Sequence, residues 1–489
     1  MLLPFVNSYV VQHAPSHLHP KVTAFRATPS ALSAKVTVNE RLHLDFHGPV
    51  SWLKKRFDLH YRLYGQGVRI GGRLLPGTVD LAGKMHGDVR RFSVDGNGTG
   101  LDAQLGYRFD VVHKEIRDID ADIKGGDLEG MLLLAGVRPT AKGRFDLHLR
   151  TPGIDTHHPD GKADITLYDG LLDKGVVSKR FGVALAEDLR FSGEGHLKLH
   201  ETEAKGWGAL KTSLGSLVFK ESRYDIARKD FDSQYHLFLP KLSAFGSLTG
   251  HDLRGSAEVV GHIYQTEGKL RLEGVTESFG GKIVGVFENG EAVAVMKDLS
   301  LKKVLYDLAY PQVADGGVFA RMRYNLPAQS GEINGTIQDA RFLENQLTRA
   351  VAAFEEIDLR KERFEKTVFS AQIKPYQIFF TLDAAAPKSH IRIYDAQIKT
   401  ALHFIDAKFD IDLHGKAFGG RVKGDLSGPQ VELDTARYIK SRLGRTVDKY
   451  IDKEDQQKIK NVVKEQMKKF GLDDLKGEDM IKGMMDIFF

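Results

Sequence analysis

Alternation of apolar and polar residues over short segments is the feature that most constrains how this chain can fold. In "RFDLHLR", Phe145, Leu147 and Leu149 occupy every second position, and charged or histidine residues stand between them. The same period returns in "KADITLYDG", "GKLRLEG", "HIRIY" and "KFDIDLHG". Because successive side chains of a β-strand point to opposite faces, this pattern predicts half-buried antiparallel strands. The expected fold class is mainly β.

A one-faced sheet must cover its apolar side with a second sheet, a closed barrel or a layer of helices. The sequence predicts only one helix before residue 435, and no linker-like change of composition divides the chain into sandwich domains. We therefore expect one long antiparallel sheet, folded into an elongated U-shaped (taco-like) groove with an apolar interior. Stacking about 25 to 30 strands at about 4.8 Å each would make it about 120 to 140 Å long. The alternative is that the apolar faces pack on one another as a filled core.

The apolar positions of the alternating segments are the candidate lining of the groove. For each of them, the simpler interpretation is ordinary core packing. The predicted lining residues are Phe145, Leu147, Leu149, Ile165, Leu167, Leu270, Leu272, Ile391, Ile393, Phe409, Ile411, Leu413, Val422 and Leu426.

A second motif repeats within the strands: Gly, any residue, apolar, any residue, Gly, any residue, apolar. "GRVKGDL" is one of five copies, and their spacing is irregular, which excludes a solenoid or propeller of fixed period. A glycine within a strand often marks a bend or the close approach of a ligand. We therefore expect these glycines to bend the sheet and leave width for an acyl chain. The groove glycines are Gly83, Gly87, Gly126, Gly130, Gly281, Gly285, Gly331, Gly335, Gly420 and Gly424.

Three regions are predicted along the chain. Residues 1–21 are an apolar stretch, which we interpret either as the remnant of a membrane anchor or as a buried first element. Residues 22–435 form the repetitive β-groove, with an amphipathic helix over about 340–357. Residues 436–489 are a basic helical tail, with eleven Lys or Arg against five Asp or Glu between Arg437 and Phe470.

The tail has the pattern of a helix that binds a membrane surface or a partner, or that simply caps the sheet in solvent. Its apolar residues recur at a spacing of four, which places them on one helical face. The predicted contact residues of the tail are Ile439, Leu443, Val447 and Ile451.

Several kinds of chemistry lack their usual residues. The chain has no cysteine, which removes disulfides, thiolate metal sites and cysteine nucleophiles. Its nineteen histidines do not fall into a metalloenzyme motif, and the glycine-rich segments lack P-loop spacing. Outside the tail the charge is near neutral, which argues against nucleic acid as a partner. We expect no enzymatic activity, no metal and no cofactor.

Three segments together resemble one protein family. They are "VAVMKDLSLKKVLYDLAYPQVADGGVFARMRYNLPAQSGEINGTI", the later "IDLRKERFEKTVF", and the closing "GGRVKGDLSGPQVELD". Their order is similar to the C-terminal half of AsmA-like proteins, which belong with TamB and YdbH among the bridge-like lipid-transfer proteins of the bacterial envelope. The resemblance is clear over about residues 250–435 and extends to residues 22–250 only as a general similarity of sequence pattern.

That resemblance implies a periplasmic β-groove, associated with the inner membrane, that conducts phospholipids towards the outer membrane and so contributes to its biogenesis. The implied partners are phospholipid acyl chains, the membrane surface and other envelope proteins. Two alternatives remain: a structural or adhesive β-rich envelope protein with a filled core, and an outer-membrane β-barrel.

Overall fold

The structure, a computed structural model, describes residues 2–13, 19–39, 41–66, 69–70, 73–74, 77–100, 102–134, 136, 138–153, 160–176, 187–245, 253–355 and 358–434. The predicted helical tail, with Ile439, Leu443, Val447 and Ile451, lies outside these residues.

The described residues are mainly β, with 70% in strands and 10% in helices. In the described part of the chain, twenty-six strands form one antiparallel sheet that does not close on itself, and two short strands form a separate pair. This confirms the prediction of a long antiparallel sheet. The chain separates into two compact units, Met1–Leu237 with Tyr264–Gly268 (unit 1) and Phe238–Ile263 with Lys269–Phe489 (unit 2).

The following strands belong to unit 1 wholly or in part: β1 (Pro20–Ala27), β2 (Ala31–Val38), β3 (Leu42–Ser51), β4 (Arg56–Gln66), β5 (Arg69–Ile70), β6 (Arg73–Leu74), β7 (Thr78–Asp88), β8 (Arg91–Gly100), β9 (Ala103–Val112), β10 (Glu115–Asp127), β11 (Ala141–Gly153), β12 (Asp160–Leu172), β13 (Leu189–His200), β14 (Glu203–Thr212), β15 (Gly215–Asp225) and β16 (Asp230–Leu239).

The remaining strands belong to unit 2 wholly or in part: β17 (Ala257–Thr266), β18 (Lys269–Thr276), β19 (Lys282–Glu288), β20 (Glu291–Ser300), β21 (Ala314–Asn325), β22 (Ser330–Phe342), β23 (Lys366–Lys374), β24 (Gln377–Ala386), β25 (Ser389–Lys399), β26 (Phe404–Leu413), β27 (Lys416–Asp425) and β28 (Gln430–Leu433). The α-helices with described bounds are α1 (Leu2–His13), α2 (Leu128–Leu134), α3 (Leu301–Asp307) and α4 (Gln346–Glu355). Three short 3-10 helices are η1 (Leu242–Phe245), η2 (Leu359–Lys361) and η3 (Thr400–Leu402).

Within each unit the strands follow one another as a meander. From β1 to β4 and from β7 to β15, every strand pairs antiparallel with the next, and β4 pairs directly with β7. From β18 to β28 the same rule holds. Because most of the described residues lie in strands, period-two alternation dominates the sequence.

Helix α1 lies beside the first strand of unit 1. Asn7 accepts a hydrogen bond at Oδ1 from the backbone N–H of Val22, at 2.7 Å. The helix therefore satisfies a backbone donor of β1, as expected where an exposed sheet edge is covered. None of the helices in the described ranges combines the length and the hydropathy needed to span a bilayer.

Unit 2 contains a packed hydrophobic core. Val351 of α4, Leu359 of η2 and Phe364 are fully buried in the same cluster as the apolar side chains of β25 and β26. Helix α4 contacts η2 and β28, so protein atoms cover this part of the sheet.

The predicted helix over 340–357 begins too early. Residues 340–342 belong to β22, where Phe342 pairs with Ala314 of β21. Asn345 and Thr348 then form two reciprocal hydrogen bonds. Thr348 Oγ1 accepts from the Asn345 backbone N–H at 2.9 Å, and Asn345 Oδ1 accepts from the Thr348 backbone N–H at 3.0 Å. This capping pair starts α4 at Gln346.

The prediction of a single helix before residue 435 was also wrong, since α1, α2 and α3 precede α4. Of these, α2 and α3 have only seven residues each, whereas α1 has 12 and lies within the apolar stretch 1–21. Two turns of helix leave a weak periodic signal, which explains why the sequence pattern missed α2 and α3.

Candidate functional site

The apolar residues of unit 1 line up across neighbouring strands. One position from each of eleven neighbouring strands forms a continuous cross-strand line, which we call the apolar row. The apolar row consists of Val22, Val36, Leu44, Leu63, Leu81, Gly98, Leu105, Ile123, Leu147, Ile165 and Gly195. Each member is the direct register partner of the next, so the nine side chains form one apolar strip that is interrupted at Gly98 and ends at Gly195.

This strip is covered incompletely. Val22 is buried, whereas the other ten members of the apolar row are only half-buried. An apolar cross-strand strip of this length normally lies under a second layer of protein. Among the described residues of unit 1, the strip retains surface on which further apolar material could pack.

A tyrosine pair interrupts the apolar face of unit 1 beside the apolar row. The hydroxyl groups of Tyr61 and Tyr107 share a hydrogen bond, and the Tyr61 hydroxyl also donates to the Asp95 carbonyl at 3.4 Å. Burial, with the hydrogen bond to Tyr107 second, raises the pKa of Tyr61 far above its ordinary value. The pair is therefore neutral at physiological pH and satisfies its own polar atoms on this face.

Two glycines make room for that pair. A Cβ atom at Gly96 would lie 2.5 Å from the Tyr61 hydroxyl oxygen and 2.7 Å from that of Tyr107, and one at Gly83 would lie 2.8 Å from the Tyr61 oxygen. The expectation that Gly83 leaves width for a ligand is therefore corrected, because tyrosine occupies the space.

Side chains of neighbouring strands also fill the space beside other predicted groove glycines. A Cβ at Gly126 or Gly420 would lie 2.6 Å from the ring of Phe145 or Phe409, and one at Gly331 would lie 2.8 Å from the Tyr324 ring. At Gly87 and Gly335 the obstructing side-chain atoms are the Cβ atoms of Phe92 and Ala320, and at Gly281 backbone atoms of Asp298 and Leu299 obstruct. These glycines accommodate neighbouring protein atoms, which replaces the prediction of free width at these positions.

Three predicted glycines behave differently. A Cβ at Gly285 would have no atom closer than 3.7 Å and one at Gly424 none closer than 3.6 Å, so a methyl group would fit at both. The φ of +128° at Gly424 still favours glycine there. Gly130 lies in helix α2, which corrects its assignment to a strand.

The predicted lining residues separate into two groups. In unit 1, Leu147 and Ile165 belong to the apolar row, and Leu149 and Leu167 are half-buried on the same face. In contrast, Phe145 is 1% exposed, which corrects the prediction that it lines an open groove. Helix α2 packs against β10 and against β11, the strand that carries Phe145.

In unit 2 most of the predicted lining residues lie in or against a packed core. Ile391, Phe409, Ile411 and Leu413 are at most 2% exposed and belong to the packed core. The prediction that these four line an open groove is corrected, because α4, η2 and Phe364 share the cluster with them. Ile393 and Val422 pack against that core, Leu272 is half-buried and Leu270 is exposed. Leu426 follows the end of β27 in a turn, so it does not share a strand face with Val422.

The polar face of unit 1 carries histidine–carboxylate pairs that the sequence did not reveal as neighbours. Asp122 lies opposite His148, His148 opposite Asp164, and Asp164 opposite His196. His148 Nδ1 is 2.7 Å from Asp122 Oδ1, and His196 Nδ1 pairs with Asp164 Oδ1. The two pairs join residues that are 26 and 32 positions apart, so local sequence motifs could not show them.

One group on this face has the composition of a metal site. Ligand atoms of Asp120, Asp122 and His148 all lie within 4.8 Å of one another. Arg150 Nε donates to Asp120 Oδ2 at 3.1 Å, which places a positive charge beside the group. Because the residues are partly exposed and Arg150 already neutralises Asp120, the arrangement suits an ion-pair network better than a bound cation.

Comparisons with known proteins leave the family unassigned: no family model, no curated protein and no solved structure matches this chain.

Proposed function

We propose that this chain is a non-enzymatic carrier of phospholipids in a bacterial envelope, with acyl chains lying against the apolar face of unit 1. The observation that carries the proposal is the apolar row, which runs over eleven neighbouring strands and is half-buried at ten of its eleven members. The resemblance of motif order to AsmA-like proteins supports the same class of function, with periplasmic localisation and association with the inner membrane.

The physical basis is burial of hydrocarbon without a specific anchor. Each methylene group removed from water contributes about 0.8 kcal/mol, so an acyl chain in contact with several strands is held appreciably. Because neighbouring positions of the apolar row are chemically similar, displacement of the chain along the row changes this energy little. Movement of lipid along the sheet then needs no catalytic residue.

Unit 2 supports a second, more limited function. Its core is filled with protein side chains at Ile391, Phe409, Ile411 and Leu413. This observation favours the alternative of a structural β-rich envelope protein for this part of the chain. Our proposal therefore assigns lipid contact to unit 1 only.

The test uses a photo-reactive amino acid at two adjacent positions of β12. Ile165 lies on the apolar face and Thr166 on the opposite, exposed face. Irradiation of the full chain with radiolabelled phospholipid should label the Ile165 variant strongly and the Thr166 variant weakly. Mass spectrometry of protein purified without detergent should then identify the bound lipid. Equal labelling at both positions, together with absence of co-purifying lipid, would reject the proposal.

A further inference from the structure

We propose that one edge of unit 1 docks on the surface of an anionic lipid bilayer through three neighbouring hairpin turns. The turns are Trp52–Lys55 between β3 and β4, Val89–Arg90 between β7 and β8, and His113–Lys114 between β9 and β10. Together we call them the tip edge. The inference goes beyond the proposed function, because it concerns the ends of strands and holds whether or not the apolar row carries lipid.

Topology places the three turns on the same edge. In an antiparallel meander successive turns alternate between the two edges, and β3, β4, β7, β8, β9 and β10 are consecutive neighbours. Neighbouring turns of the tip edge are thus about 10 Å apart, twice the strand separation. The His113 N–H donates to the Arg90 carbonyl at 2.8 Å, which links two of them directly.

Large apolar side chains project from the tip edge. Leu53 is 99% exposed, Val89 is 71% exposed and Trp52 is 55% exposed. A fully exposed leucine beside an exposed tryptophan has no role in packing the described part of unit 1. Tryptophan with one apolar and one polar end is the side chain that most favours the membrane–water boundary.

The turns are held in place by hydrogen bonds. The Trp52 indole N–H donates to the Thr28 carbonyl at 2.8 Å, which fixes the ring against the neighbouring hairpin. Asp88 Oδ1 accepts from the backbone N–H groups of Arg90 and Arg91, at 2.8 and 3.0 Å, so Val89 stands at the apex of its turn. The projection of Val89 is therefore built into the turn geometry.

Positive charge surrounds these apolar residues. The segments 52–56, 88–91 and 113–115 contain six Lys or Arg against two acidic residues. Arg91 Nη2 lies 3.6 Å from Asp110 Oδ2, and Glu115 forms an ion pair with Arg117. Within the described ranges, Lys54, Lys55, Arg90 and Lys114 have no carboxylate within 4.0 Å. Cations interleaved with Trp and Leu match a bilayer with anionic head groups, which offers both phosphate and hydrocarbon.

The chain contains only two tryptophans, Trp52 and Trp207, which permits a direct test. Trp207 lies against His196 on the polar face, with ring centroids 4.1 Å apart, and Trp207→Phe retains an aromatic ring there. In the full-length Trp207→Phe protein, phosphatidylglycerol vesicles should shift Trp52 emission to the blue, and brominated phosphatidylglycerol should quench it. At moderate salt, phosphatidylcholine vesicles should neither shift nor quench Trp52 emission. Vesicle binding without quenching of Trp52 would show that another part of the chain binds, and would overturn the proposal.

Substitutions at the tip edge provide a second test of the proposal. Leu53→Ser combined with Val89→Ser should weaken vesicle binding about tenfold, because two projecting apolar groups are lost. Leu402→Ser is the matched control, since Leu402 of η3 is 69% exposed but lies in unit 2. Lys54→Gln with Arg90→Gln should reduce the dependence of binding on salt. Unchanged binding in both double variants, or an acidic peptide that shifts Trp52 emission while vesicles do not, would reject a bilayer as the partner.

Discussion

The glycines show how one residue type serves different purposes in the same strand motif. Gly420 is the first glycine of one copy of the repeat and Gly285 is the second glycine of another, and both lie within strands. The Phe409 ring occupies the space beside Gly420, whereas Gly285 has room for a methyl group. Both glycines are recognisable in the sequence as unusual in a strand, but the neighbour that each one accommodates is visible only in the structure.

We predict opposite outcomes for alanine at these two sites. Gly420→Ala should destabilise the protein by about 1 to 3 kcal/mol, because its Cβ would lie 2.6 Å from the Phe409 ring in a packed core. Gly285→Ala is the control and should change stability by less than about 0.5 kcal/mol, since the nearest atom is 3.7 Å away. Urea unfolding of both variants measures the difference. Equal stability losses would contradict the assigned packing.

At the scale of elements, strands with the same alternation have different environments. The segment of β11 that contains Leu147 and the segment of β26 that contains Ile411 both alternate apolar and charged residues. Leu147 is half-buried in the apolar row, while Ile411 is 2% exposed and shares a core with α4 and η2. The burial of Ile411 depends on α4 and η2, which are remote in sequence from β26.

Aspartate at these two positions should separate lipid contact from core packing. Ile411→Asp should destabilise the protein by about 4 kcal/mol or more, because a carboxylate would lie unpaired in a closed core. Leu147→Asp should cost about 1 kcal/mol or less, because the side chain retains access to solvent, but it should abolish lipid labelling at Ile165.

Circular dichroism during urea unfolding, combined with lipid photo-labelling, measures both effects. Global unfolding of the Leu147→Asp variant would mean that the apolar row is a closed core. If a folded Leu147→Asp variant were still labelled at Ile165, Leu147 would not be part of the lipid-binding face.

At the scale of the whole molecule, cross-strand Arg–Asp pairs occur on the polar faces of both units. Asp80 accepts from Arg62 in unit 1, and Asp406 accepts from Arg421 in unit 2, with Nε–Oδ1 distances of 2.9 and 2.6 Å. Hydrogen bonds from these guanidinium groups are the main cause that lowers the pKa of both carboxyl groups below the ordinary 3.8.

This arrangement predicts acid sensitivity with a defined sign. A carboxyl group whose pKa is lower in the folded state stabilises the protein above the unfolded pKa of 3.8, and that stabilisation is lost as pH falls through the folded pKa. Arg421→Gln should therefore lower stability at pH 7 and make stability fall less steeply below about pH 4. Urea midpoints at a series of pH values measure this, with Lys388→Gln as a control that removes a charge elsewhere in unit 2. If the urea midpoints of Arg421→Gln and of the unaltered protein changed with pH in the same way, the proposed role of the Arg421–Asp406 pair would be contradicted.

The sequence by itself determined the fold class and the identity of one apolar face. Alternation is a local property of each strand, so the apolar positions Leu147, Ile165 and Ile411 could be recognised without knowledge of their partners. The amphipathic region of α4 was recognisable for the same reason, although Asn345 and Thr348, rather than the periodicity, set its start.

Only the tertiary structure decided what each apolar position faces. Register joins residues from eleven strands into the apolar row, and the helices of unit 2 close over Ile411 and Phe409. Strand pairing likewise brings Trp52 and Val89 to the same edge although they are 37 positions apart in the sequence. Burial is a sum over neighbours contributed by remote segments, and an alternating strand pattern is the same whether protein or lipid completes the contact.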